Sequence, residues 1–237
     1  MLTQVFAGPR DEADAMQVAL AGSAAARLAL ALRSGLKLAL DTTDTRQVFY
    51  LAIAVDRETL PRIAARLAAD SGGRELLRTQ AAIDSKHVDF AALRALPPHT
   101  LGGAYASALR VQGLDPDVFQ RPPGLPDDLA YVAQRARQTH DLWHVLTGLG
   151  TDIPGEVALQ AFTHAQLGQN FSKLIVRFGC LVFGLRYPRM WNMVLRARRA
   201  GGEAKFLLAV RWEDWWADPL DEVRARVGLP VCGIAAG

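Results

Sequence analysis

The chain has 237 residues, half of them hydrophobic and 22% charged, a composition that supplies a sizeable core and excludes a disordered polar chain. Its two cysteines, Cys180 and Cys232, are too few for a disulfide framework and too far apart for a paired metal motif, which points to a reducing compartment. The net charge of +3 is unevenly placed: Lys173, Arg177, Arg186, Arg189, Arg196, Arg198, Arg199, Lys205 and Arg211 stand against the single acid Glu203, without the zinc-finger spacing, RNA-binding signature or phosphate loop that would indicate nucleic acid.

The elements read as follows. Ala15 to Leu40 is rich in Ala and Leu and predicts a helix, a turn and a second helix, stopping at Asp41-Thr42-Thr43-Asp44. Gln47 to Val55 is a short apolar run that passes for a strand, after which Thr59-Leu60-Pro61 opens a helix that Ser71-Gly72-Gly73 ends. Leu96 to Thr100 is a loop, with Thr100 placed to cap the helix holding Tyr105 and Leu109. The prolines between Asp115 and Asp128 mark a surface loop. Leu129 to Leu146 and Glu156 to Leu167 are helices, and Asp218-Pro219-Leu220-Asp221 supplies a cap, a first-turn proline and an acid for a last helix ending at Gly228.

These elements make the expected fold all-α: a helical bundle, with 1–237 as a single domain because no composition break divides it. No apolar stretch reaches the about 20 residues that span a bilayer. Asp11, Glu12 and Asp14 near the start are unlike a secretory signal or an acid-poor transit peptide, so an intracellular chain is expected.

The sharpest feature is Thr139-His140-Asp141-Leu142-Trp143-His144, followed after eleven residues by Glu156. On a helix, residues four apart share a face, so His140 and His144 project together with Asp141 beside them. Gly148, Gly150, Pro154 and Gly155 would end that helix, turn the chain and start another, returning Glu156 towards the histidines. Two imidazoles and two carboxylates suit zinc, iron, manganese or cobalt; the set lacks thiolates. Asp141 is shorter than the glutamate of a zinc-protease His-Glu-x-x-His motif, which disfavours a protease. The plainer alternative is that the histidines are ordinary helix residues and Glu156 only favours the start of its helix. Gln160 and His164 follow Glu156 at four-residue steps, either behind the ligands or in solvent.

The segment from Tyr131 to Leu159 resembles the signature of the fourth Coq protein of ubiquinone (coenzyme Q) biosynthesis, His-Asp-x-x-His, eleven residues, then Glu. The resemblance extends to Leu96–Ala106, Gly73–Leu77 and Arg211–Leu229 and is best over 62–229. The chain departs from the family in lacking a proline near Gln80 to Ile83 and in carrying Thr163 where an acid often stands. The resemblance implies that His140, Asp141, His144 and Glu156 are metal ligands and the catalytic group, with zinc the first choice of ion. It implies a peripheral membrane protein that binds a polyprenylated quinone intermediate, works beside other ubiquinone biosynthesis proteins and admits a homodimer. The implied reaction is oxidative decarboxylation of a polyprenylated 4-hydroxybenzoate-derived ring, C1 carboxyl to hydroxyl. Location follows as cytoplasmic on the inner face of a bacterial inner membrane, or the matrix side of the mitochondrial inner membrane in a eukaryote. Zinc has no redox chemistry, so with zinc an electron-rich ring would itself react with oxygen, whereas iron or manganese could take part.

Other residues fit such a role with a plain alternative beside each. Phe171, Leu174, Ile175, Phe178, Leu181, Val182 and Phe183 offer an apolar groove for a prenyl tail, or are simply core. Arg177, Arg186 and Arg189 could meet lipid phosphates with Tyr187 and Trp191 at the interface, or be ordinary surface residues. Tyr105 either faces the site or is structural. Two further functions compete: a non-catalytic prenyl-lipid scaffold for other pathway enzymes, and a metal-dependent phosphohydrolase, for which five histidines are few.

Overall fold

The computed structural model describes residues 12–40, 45–118 and 120–235. Among them regular structure is helical throughout, apart from one isolated antiparallel bridge between Thr100 and Pro219. The expected stop at Asp41 to Asp44 lies outside the described residues.

Three helices open the chain: α1 (Glu12–Ala21), α2 (Ala24–Leu40) and α3 (Thr45–Val55). They enclose a small apolar cluster of their own, built on Ala15, Leu30 and Tyr50. The run from Gln47 to Val55 that reads as a strand is helical, because its buried face packs against α1 and α2 and tertiary contact overrides local propensity. The next helix, α4 (Thr59–Ala69), begins where expected and buries Ile63 and Leu67. Ser71-Gly72-Gly73 does not merely stop it. The Asp70 carboxylate accepts from the Gly72 and Gly73 N–H groups and makes these residues the first turn of α5 (Ser71–Thr79).

After α6 (Phe90–Ala95), Thr100 caps α7 (Leu101–Gln112), its hydroxyl accepting from Gly103 N–H at 3.2 Å as the sequence predicts. Two long helices follow, α8 (Asp127–Thr147) and α9 (Ile153–Leu167), then α10 (Asn170–Phe183), α11 (Arg189–Glu203) and α12 (Leu220–Val227). The start of α12 differs from expectation. Pro219 occupies the capping position, and the Asp218 carboxylate instead accepts from Arg226 at 2.7 Å.

Helix α9 is central, packing against α11 and α10, while α8 rests on α4 and α7. Trp143 from α8 meets Phe162 from α9 edge to face at 5.7 Å, in a core that also buries Leu67, Leu101, Leu142, Leu146 and Trp212. Buried polar groups then fix α8. Arg135, with no exposed side-chain surface, forms a two-pronged pair with Glu213 and donates to the Val210 carbonyl at 2.9 Å. Gln138 accepts from Ile83 N–H at 3.0 Å, and Tyr131 donates to the Ala81 carbonyl at the same distance. The helix bearing the two histidines is thereby tied to the 81–83 segment and to the strap around 210–213.

Candidate metal centre

Helix α8 ends at Gly148, which adopts the left-handed conformation (φ 70°) and donates back to the His144 carbonyl at 2.9 Å. The Asp152 carboxylate caps α9 by accepting from Gly155 N–H at 3.2 Å, and Pro154 stands in the first turn. The tightness of this turn requires Gly155: a Cβ there would lie 2.0 Å from the Gly150 carbonyl oxygen. Glu156, the next residue, therefore enters the first turn of α9 opposite the last two turns of α8.

Three side chains meet across the turn. One ligand atom each from His140, His144 and Glu156 lies within 4.8 Å of the others. Glu156 Oε1 is 3.1 Å from His144 Nε2, and Oε2 is 3.7 Å from His140 Nε2. With metal–ligand bonds of about 2.1 Å, a tetrahedral ion separates its ligand atoms by about 3.4 Å, a value these two distances bracket. The histidine rings stand at 88° with centroids 5.1 Å apart.

The hydrogen bonds select the ligating nitrogen. His144 Nδ1 lies 2.9 Å from the Leu149 carbonyl, and because a carbonyl only accepts, Nδ1 carries a proton and Nε2 is the nitrogen that can turn a lone pair to a cation. Although 3.1 Å from Glu156, His144 Nε2 is buried without an aligned hydrogen-bond partner. An imidazole nitrogen, oriented by a carbonyl on its far side and facing a carboxylate, belongs to the kind of donor set that a divalent cation completes. His140 and Glu156 are partly exposed, leaving the site open on that side.

Burial alone would push the Glu156 carboxyl up, but contact with His140 and His144 outweighs it and holds the group at about 2. Burial works against a charged His144, yet Glu156, the Leu149 carbonyl and Asp141 together raise its proton affinity. Asp141 goes the other way: burial raises its carboxyl beyond what the two histidines pull down, and Glu156 adds to the rise.

The four residues singled out by the motif therefore divide. His140, His144 and Glu156 converge, whereas Asp141 sits beside them within electrostatic reach but outside the group of convergent ligand atoms. His164 bonds the Gln169 carbonyl through Nδ1 at 2.8 Å, and Gln160 lies one turn beyond Glu156 with its carbonyl oxygen buried and unpartnered. Tyr105 is fully buried and stacks on Trp216 at 5.7 Å; burial first, and then the neighbouring Asp141, push its phenol up. Leu149 escapes a reading of side chains because it acts through its backbone oxygen. Gly155 was visible only as a turn residue.

The proposed lipid residues lie mostly outside. Phe171 is buried, but Leu174, Phe178, Leu181 and Val182 are exposed, and so are Leu185 and Trp191. Arg177, Arg186 and Arg189 are exposed among them. Among the described residues no helix is long and apolar enough to cross a membrane.

Residues 17–232 match the model of the coenzyme Q (ubiquinone) biosynthesis protein Coq4 family. The mitochondrial ubiquinone biosynthesis protein COQ4 of Arthroderma otae is 34% identical over 72% of this chain and 64% of its own length, slightly under two thirds of that relative. The corresponding protein of Pyrenophora tritici-repentis is 32% identical over 86% of this chain and 71% of its length. A crystal structure from Nostoc punctiforme PCC 73102, described as that of a candidate ubiquinone biosynthesis protein, is similar with a TM-score of 0.68 at 26% identity, covering 84% of this chain and 96% of that one. The chain belongs to the Coq4 family of ubiquinone biosynthesis proteins.

Proposed function

We propose that this chain is a metal-dependent enzyme of ubiquinone biosynthesis that replaces the C1 carboxyl of a polyprenylated 4-hydroxybenzoate-derived ring with a hydroxyl by oxidative decarboxylation. The observation that carries this reading is the convergence of His140, His144 and Glu156, with His144 Nε2 turned to the Glu156 carboxylate, in a chain of this family. These residues would hold a divalent cation, zinc first, with iron, manganese or cobalt also suited to nitrogen and oxygen donors. Asp141, beside this convergent group, would supply a fourth ligand and the second carboxylate. A bound cation would supply Lewis-acid stabilisation of the charge that develops as carbon dioxide leaves. Dioxygen would be the oxidant: one of its atoms becomes the new hydroxyl oxygen as the carboxyl carbon leaves as carbon dioxide, and the other leaves as water with two protons and two electrons from a reductant of the reduced nicotinamide or flavin class. The chain's own part is to orient His144 through Leu149, to hold Glu156 ionised, and to bury one side of the site.

The exposed apolar residues of α10 and the following turn, interspersed with Arg177, Arg186 and Arg189, suit a surface that rests on an anionic membrane, from which a polyprenylated intermediate would be drawn. In a bacterium this is the cytoplasmic face of the inner membrane. Other ubiquinone biosynthesis proteins are the expected neighbours, and self-association is compatible with the same exposed face. That face suits a second reading equally well, a non-catalytic protein that presents prenylated intermediates with the metal as a structural pin.

Expression of His144→Ala in a strain lacking the native gene tests the first reading: ubiquinone is lost and a C1-carboxylated intermediate accumulates. Normal ubiquinone would overturn it. Turnover of that intermediate by the purified chain under oxygen separates an enzyme from a scaffold.

A further inference from the structure

The last four carbonyls of any helix lack partners within the helix and must find them elsewhere. In α8 those of His144, Val145, Leu146 and Thr147 lie directly behind the convergent histidine. The His144 carbonyl is met by Gly148 N–H at 2.9 Å, inside the turn. The next two are met by one side chain from α12: Arg224 donates from Nη2 to Val145 at 3.0 Å and from Nε to Leu146 at 2.9 Å. The fourth, that of Thr147, accepts from Ile234 N–H of the C-terminal segment.

Arg224 also ties that segment down, donating from Nη1 to the Val231 carbonyl at 2.9 Å and to Asp221 at 3.1 Å. Its side chain is only 11% exposed. A guanidinium carries five N–H donors in a rigid fork, and a cation at a helix C-terminus is favoured by the helix dipole. Lysine has a single ammonium and cannot span two successive carbonyls with the same geometry.

We infer that Arg224 is a positioning residue for the metal centre: with the C-terminal segment it clasps the end of α8, and so fixes His144 and the Leu149 carbonyl that orients the imidazole. This rests on the metal reading proposed above. The connection is short and covalent, since Val145 and Leu146 directly follow His144 and the turn they anchor supplies Leu149. Loss of the clasp leaves two part-buried carbonyls without these donors and lets the last turn of α8 fray. The histidine would then lose its fixed tautomer and direction, and metal affinity would fall as it does when outer partners of a ligand are removed.

The test uses the full chain and its Arg224→Leu and Arg224→Lys variants, measuring zinc affinity by competition with a chromophoric chelator and the visible spectrum of the cobalt(II) form. Leucine is expected to weaken zinc binding about 10- to 100-fold and to alter the cobalt bands, with lysine intermediate. A purely structural clasp would lower the melting temperature of both variants and leave the affinity and spectrum of the folded protein at wild-type values; that result overturns the inference. If the leucine variant does not fold, the lysine variant decides, and wild-type affinity and cobalt bands there count against it. Failure of the wild-type chain to bind either ion would overturn the metal reading and this inference together.

Discussion

Replacing Gly155 with alanine is the smallest change that separates the turn's geometry from the chemistry of its ligands. The added Cβ would stand 2.0 Å from the Gly150 carbonyl oxygen and 2.7 Å from both the Gly150 carbonyl carbon and Asp152 Oδ1. The carboxylate can swing away, but the backbone oxygen cannot, so the first turn of α9 must retreat by roughly 1 Å to restore a normal contact. Overpacking of this kind costs about 1–3 kcal/mol, sometimes more. Alanine's helix preference returns about 1 kcal/mol. We therefore expect a net loss of up to about 2 kcal/mol, equivalent to a fall of up to roughly 8 °C in Tm for a chain of this size. Glu156 moves with the turn and away from His144 and His140, so chelator competition should show weaker zinc binding than wild type. Unchanged Tm and unchanged zinc affinity would refute the requirement for glycine and, with it, the tight approach that places Glu156.

Glu213→Ala would leave Arg135 buried without its counter-charge and is expected to cost about 3–5 kcal/mol in urea denaturation; a loss below 1 kcal/mol would show the pair to be dispensable. Asp56 caps α10 from a distance, its carboxylate accepting from Asn170 N–H at 2.6 Å and Phe171 N–H at 3.0 Å, so Asp56→Ala should cost about 1 kcal/mol and speed proteolysis near residue 170; no change in either would remove the cap from consideration. Leu181 and Leu185 are 81% and 97% exposed, so Leu181→Glu with Leu185→Glu should reduce sedimentation with vesicles rich in anionic lipid and leave the unfolding free energy within about 0.5 kcal/mol of wild type. Vesicle binding that survives both changes would direct the membrane proposal to another face.

What could be read from the sequence and what could not divide along physical lines. The pairing of α8 with α9 was legible because histidine spacing, the Gly-rich turn and Pro154 act locally, and local rules reach that far. The roles of Arg135 and Arg224 were not, since a helical pattern says which residues share a face and nothing about a partner nearly 80 residues away. Asp218 has the type of a capping residue, yet Arg226 competes for its carboxylate. The apolar side chains from Phe171 to Phe183 read as a groove for a prenyl tail or as core. The buried side of α10 is set by Gly179, whose missing Cβ would otherwise stand 2.5 Å from Val157 Cγ2 and hold α10 off α9. Leu174, Phe178, Leu181 and Val182 are left facing outward. Likewise Gln47 to Val55 carries a strand-like composition that its partners α1 and α2 override.

Elemental analysis of the purified wild-type chain beside its His144→Ala variant tests the metal centre most directly. One divalent ion per wild-type chain and little or none in the variant is the predicted result. A wild-type chain that retains no metal after purification and takes none up when offered zinc, iron, manganese or cobalt, or a variant that keeps its full complement, would contradict it.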